Sequence, residues 1–86
     1  MRPVIICTVH RGVFFGYAED TTGDVVHLRR AKMAIRWSED VRGVLGLACV
    51  GPIGESLVSH PADIEVRGVT AVMEVTPEAE AVWHTA

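Results

Sequence analysis

Cysteine is almost missing from this chain. Cys7 and Cys49 are the only two in 86 residues, too few for a disulfide framework or a zinc quartet. Long apolar runs are missing as well. Val4-Ile5-Ile6-Cys7 is cut short by His10 and Arg11, and glycine or charge interrupts every later stretch. That pattern argues against a signal peptide or a membrane span, so a soluble, intracellular protein with reduced thiols is expected. Eight basic residues face eleven acids, a net charge of −3, which excludes a uniformly basic nucleic-acid coat. Several chemical motifs are absent too. There is no His-Glu-x-x-His, no Gly-x-Ser-x-Gly elbow and no Gly-Lys-Ser/Thr phosphate loop. His10, His27, His60 and His84 are scattered, and on a strand Cys7 and His10 would face opposite sides. Neither a metal, a cofactor nor a catalytic activity is therefore expected.

What is present points to one compact unit. An apolar content of 49% with 22% charge fits a globular chain, and the length allows a single domain, residues 1–86. A core this small returns little more than ordering costs, so association between copies is the expected reinforcement.

The pattern of residues favours strands. Pro3–Val9 is a β-branched first strand. In Val13–Ala18 the side chains of Val13, Phe15 and Tyr17 share a face, and Gly16 marks a bulge or bend. A turn over Thr21-Thr22-Gly23-Asp24 leads to Val25–Leu28, making residues 11–30 a hairpin. Met33, Ile35 and Trp37 read as the inward face of a further strand, with Arg36 on the other side. Half of the eight glycines fall at Gly43, Gly46, Gly51 and Gly54, predicting a packed, irregular stretch with one short strand and a loop. Gly51-Pro52-Ile53-Gly54 has the form of an RNA-binding Gly-x-x-Gly clamp, but it lacks a basic residue and Glu55 follows, so a packing role is favoured. Ser56–Ala62 reads as a surface loop. Ile64–Arg67 and Val69–Val75 are the last strands, the second with Val69, Ala71, Met73 and Val75 inward. Thr76-Pro77-Glu78 then caps a short helix whose apolar side is Ala79, Val82 and Trp83. The fold class expected is mainly β within α+β: a small, strongly bent antiparallel sheet or SH3-like barrel with a short C-terminal helix.

Charge placement says more than net charge. Residues 25–42 carry Arg29, Arg30, Lys32, Arg36 and Arg42 against Glu39 and Asp40, a balance of +3, whereas residues 55–86 carry six acids against Arg67, a balance of −5. Seven of the eight basic residues are arginine, whose planar fork suits phosphate and carboxylate. Two readings of this centre stand side by side: recognition of an anion, and ion pairing with acids of a neighbouring copy. For the first, Arg29, Arg30, Arg36 and Arg42 would hold phosphates while Trp37, with Phe14 and Tyr17 nearby, would stack on a base.

Two resemblances add to this. Gly23-Asp24-Val25-Val26-His27-Leu28, following a glycine-bent strand, resembles the hairpin of Sm and SH3-like barrels, which implies rings that present arginine and aromatics to single-stranded RNA. A second set of segments runs through most of the chain: His10-Arg11-Gly12-Val13-Phe14-Phe15-Gly16, Ala31-Lys32-Met33 through Trp37-Ser38, and Arg42-Gly43-Val44-Leu45-Gly46-Leu47-Ala48 with Gly51-Pro52. Arg67-Gly68-Val69-Thr70-Ala71-Val72 and Thr76-Pro77-Glu78-Ala79 through Trp83 complete it. With these segments the string as a whole resembles a family of small uncharacterised proteins of tailed bacteriophages and prophages. That resemblance implies a phage gene product acting in the host cytoplasm, and no catalytic residues. The leading expectation is a homo-oligomeric binding protein that sequesters an anionic nucleotide signal of antiviral defence, cyclic or oligonucleotide. The alternatives are a nucleic-acid-binding small barrel and a structural or host-protein-inhibiting phage component.

Overall fold

The computed structural model describes all 86 residues, Met1–Ala86. Strand β1 (Arg2–Thr8) is central because Val4, Ile5 and Ile6 leave it no solvent face; all three are fully buried. It pairs antiparallel with β2 (Val13–Ala18) on one side and with a late strand, Val69–Glu74, on the other. Strand β3 (Val25–Arg36) is long at twelve residues, and it serves two partners by bending. Its first part pairs with Ala62–Arg67, from Val25 opposite Arg67 to Leu28 opposite Ile64, and its second part pairs with β2 through Arg29–Met33.

A 3₁₀ turn (Glu39–Val41) and helix α1 (Val44–Cys49) follow, then β4 (Leu57–Val58), β5 (Ala62–Arg67), β6 (Val69–Glu74) and helix α2 (Pro77–Thr85). The sheet order is β4-β3-β2-β1-β6, with β5 also on β3. Only Gly68 separates β5 from β6, yet they sit beside β3 and β1 respectively and do not pair. The sheet is therefore bent but open, and of the two expected architectures it is the bent sheet rather than the closed barrel.

Alternation along β1 feeds two cores. Ile5, Phe15 and Tyr17 face the helices and pack with Leu47, Ala79 and Trp83; Val4 and Ile6 face the other way, toward Val26, Leu28 and Val66. Helix α2 starts as the sequence leads one to expect: the Thr76 hydroxyl accepts from the Ala79 N–H at 3.1 Å, and Pro77 occupies the first turn. Trp83 is fully buried, stacks on Phe15 with ring centroids 4.8 Å apart, and donates its indole N–H to the Leu47 carbonyl at 3.0 Å.

Five local expectations need correction. Ser56–Ala62 is not all loop: it holds β4, which pairs with the end of β3. The glycine-rich stretch contains helix α1, not a strand. Its glycines punctuate that helix: Gly43 (φ +86°) precedes it, Gly51 (φ +83°) follows it, and at Gly46 a methyl would overlap the Val41 carbonyl oxygen. The hairpin is displaced, because Val25–Leu28 pair with β5 and only Arg29–Met33 pair with β2. Met33 and Ile35 are not inward; they are 41% and 53% exposed, while Ala34 between them enters the helix-covered core. The register slip between Leu28 and Ala31 sets this face, and β5 pairs no further than Ala31, so nothing covers Met33 and Ile35. Along β6, Val69 and Val72 join one core, Met73 and Val75 the other, and Ala71 is exposed. The slip between Cys7 and Thr8 brings Val69 onto the same face as Val72. No helix is long and apolar enough to cross a membrane.

Candidate functional site

The five residues singled out from the sequence do not meet at one place. Arg29 is tied to Asp63, with Nη1 3.1 Å from Oδ2, in a groove it shares with His27 and Glu65. Arg36 and half-buried Trp37 line the largest hollow, about 700 Å³, but Glu39, Asp40 and Glu55 line it too. Acids outnumber the cation there, so that hollow repels an anion. Arg42 is exposed at the end of the 3₁₀ turn, with φ +66°, and lines none of the five concavities.

Arg30 is placed differently. The slip in β3 puts it in the left-handed region, φ +51°, and its backbone N–H donates to Asp63 Oδ1 at 2.8 Å. That N–H first, and the Arg29 guanidinium second, hold the Asp63 carboxyl below its ordinary pKa. The latch turns the Arg30 side chain over the ring of Tyr17, 4.9 Å from its centroid. Around it lies a cleft of about 170 Å³ walled by Phe15, Tyr17, Lys32, Pro61, Trp83 and His84. It joins strand β2, strand β3 and the last turn of α2.

Electrostatics set this cleft apart. Of the five concavities it alone has basic side chains and no Asp or Glu in its wall. The Arg30 guanidinium forms no hydrogen bond or ion pair with the protein, leaving all its N–H donors unengaged. Lys32 Nζ donates to the carbonyl oxygens of Trp83 at 2.7 Å and Ala86 at 3.1 Å, which leaves one ammonium proton over.

Glu80 stands behind the wall and is occupied. Tyr17 donates its hydroxyl to Glu80 Oε2 at 2.6 Å, so the phenol oxygen, its only proton committed, accepts from His84 Nε2–H at 3.1 Å. This arrangement fixes a proton on His84 Nε2 and turns Nδ1 away from the phenol. Burial first, and the hydrogen bond to Glu80 second, push Tyr17 up to about 12. A phenol so held is neither a proton donor nor a nucleophile near neutral pH.

The sequence pattern singles out Arg30 but gives it neither Lys32 nor His84 as a companion, and it sets Tyr17 beside Trp37 instead. Lys32 was visible as part of the basic segment, and the Glu80–His84 spacing of four puts both on one side of α2. Nothing in the spacing of residues 30, 32 and 84 shows that α2 docks its last turn against the β3 bulge.

Residues 1–83 match the model of a family described as "Domain of unknown function (DUF6948)", and the chain belongs to that family. No curated protein and no solved structure matches the chain.

Proposed function

We propose that this member of the DUF6948 family is a non-catalytic binding module that holds a phosphate-bearing nucleotide by its anionic end in the Arg30–Lys32–His84 cleft. One observation carries the reading: the partner-free Arg30 guanidinium and the Lys32 ammonium line an aromatic-floored cleft with no Asp or Glu in its wall. Arginine forks bind phosphate oxygens in pairs, and buried rings beside them lower the local dielectric. The wall offers no activated nucleophile, which favours holding over cleaving. In the phage setting implied by the sequence resemblance, the role is capture of a nucleotide signal of antiviral defence in the host cytoplasm. At about 170 Å³ the cleft is below the roughly 300 Å³ at which pockets for drug-sized ligands begin, so it takes one end of the ligand. Self-association, with a second copy covering the remainder, belongs to the same proposal.

Calorimetry with nucleotides and their parent nucleosides tests this reading at low salt. Saturable heats from the phosphorylated compounds alone, lost in Arg30→Gly, are expected; equal heats from the nucleosides would defeat it. A second reading, a protein-binding role, draws on the exposed apolar side chains Met33, Ile35 and Leu57 around β3 and β4. Pull-down of a defined host protein, lost on Ile35→Glu, would favour it. A nucleic-acid-binding barrel is the least supported, because the sheet is open and Trp37 stands among acids.

A further inference from the structure

We infer that the cleft selects a terminal phosphate monoester over a phosphodiester. The inference rests on the anion-binding reading above and adds the chemical class of the anion. A monoester carries about −1.5 to −2 charge near neutral pH and presents three terminal oxygens. A diester has one charge and two such oxygens. Arg30 brings a guanidinium with no partner in the protein and Lys32 an ammonium that also serves Trp83 and Ala86, and the more highly charged monoester draws on both more strongly than the diester does.

The donors match in number as well. The unengaged Arg30 fork spans two oxygens, and the remaining Lys32 proton is available for a third. Tyr17 does not compete as a donor, because its proton is committed to Glu80 at 2.6 Å. The same bond occupies Oε2 of the Glu80 carboxylate.

Shape points the same way. Phe15 and Trp83, both buried, form the floor; Pro61 stands on one side, His84 and the end of α2 on another. About 170 Å³ admits a phosphoryl group end-on, with one ester arm leaving through the mouth. A diester needs room for two arms. Neither a cyclic phosphate nor an internal phosphate of an oligonucleotide enters in that way.

The test uses the full chain with AMP, cyclic AMP, adenosine and inorganic phosphate at one ionic strength. Affinity is read by calorimetry, and location by amide shifts at Arg30, Lys32 and His84. The expected result is AMP at least about tenfold tighter than cyclic AMP, no saturable binding of adenosine, and loss of the AMP preference in Arg30→Gly and Lys32→Met. Equal affinities for AMP and cyclic AMP, both lost in those variants, would overturn the monoester selection while leaving anion binding intact. No saturable binding of AMP, cyclic AMP or phosphate would overturn both. AMP binding unchanged in both variants would overturn the placement.

Discussion

Arg30 separates binding from stability, because its backbone and its side chain make opposite demands. Its φ of +51° costs a non-glycine residue roughly 1–2 kcal/mol relative to an ordinary conformation. Glycine removes that cost and adds about 0.5–1 kcal/mol of backbone entropy to lose on folding. Either Arg30→Gly or Arg30→Ala also removes the contact with the Tyr17 ring at 4.9 Å, worth about 0.5–1 kcal/mol at an exposed cation. The Asp63 latch survives both changes, since it holds the backbone N–H. Arg30→Gly is therefore expected within about 0.5 kcal/mol of the parent chain, and Arg30→Ala about 1 kcal/mol less stable than Arg30→Gly. Urea titrations followed by the fluorescence of buried Trp83 measure both differences. An alanine variant as stable as the glycine variant would refute the left-handed assignment. A glycine variant destabilised by more than about 2 kcal/mol would show that the side chain serves the fold and would remove the argument that it is kept for a ligand.

Three further outcomes follow from the packing and the titration of the cleft. Trp83→Ala removes the largest fully buried side chain and leaves the Leu47 carbonyl without its indole donor. A loss of about 3–5 kcal/mol is expected, enough to unfold much of a domain this size, and thermal melts will show it. Gly46→Ala places a methyl on the Val41 carbonyl oxygen, so α1 must leave the 3₁₀ turn; circular dichroism melts should show a loss of at least about 2 kcal/mol. Tyr17 is the only tyrosine, so near-ultraviolet phenolate absorbance reports it alone, with a midpoint expected near 12 and a lower one in Glu80→Gln. Because the folded pKa lies above the unfolded value near 10, the stabilisation is complete below pH 10 and is lost as pH rises through about 12. Tyr17→Phe should lack this alkaline loss.

Much of the framework was legible because the signals were local. The Thr76-Pro77 cap, the alternation of Val13, Phe15 and Tyr17, and the unbroken Val4-Ile5-Ile6 run each fix their own element, and each is seen as expected. Helix α1 was not legible. Glycine lowers helix propensity, and only the close approach to Val41, a tertiary fact, explains why Gly46 lies inside a helix. The inward face of β3 was misread for a related reason. Period-two reasoning carries a strand's faces forward only while the register holds, and here it slips between Leu28 and Ala31.

The same slip explains why the charge pattern was legible while the site was not. Arg29, Arg30, Lys32, Arg36 and Arg42 form a basic segment in the sequence, and a regular strand would have spread the first four along its faces. The bulge instead assigns neighbouring arginines to different tasks. Arg29 answers Asp63 as an ion pair, and Arg30, latched by the same carboxylate through its backbone, keeps its guanidinium free of hydrogen-bonded partners above Tyr17. One acid thus neutralises one arginine and positions the next. Asp63→Asn should keep part of the backbone latch while removing the ion pair, and Asp63→Ala should remove both. If Arg30 depends on that latch for its place over Tyr17, AMP affinity falls further in the alanine variant than in the asparagine variant. Equal affinities in the two would show that Asp63 acts by charge alone.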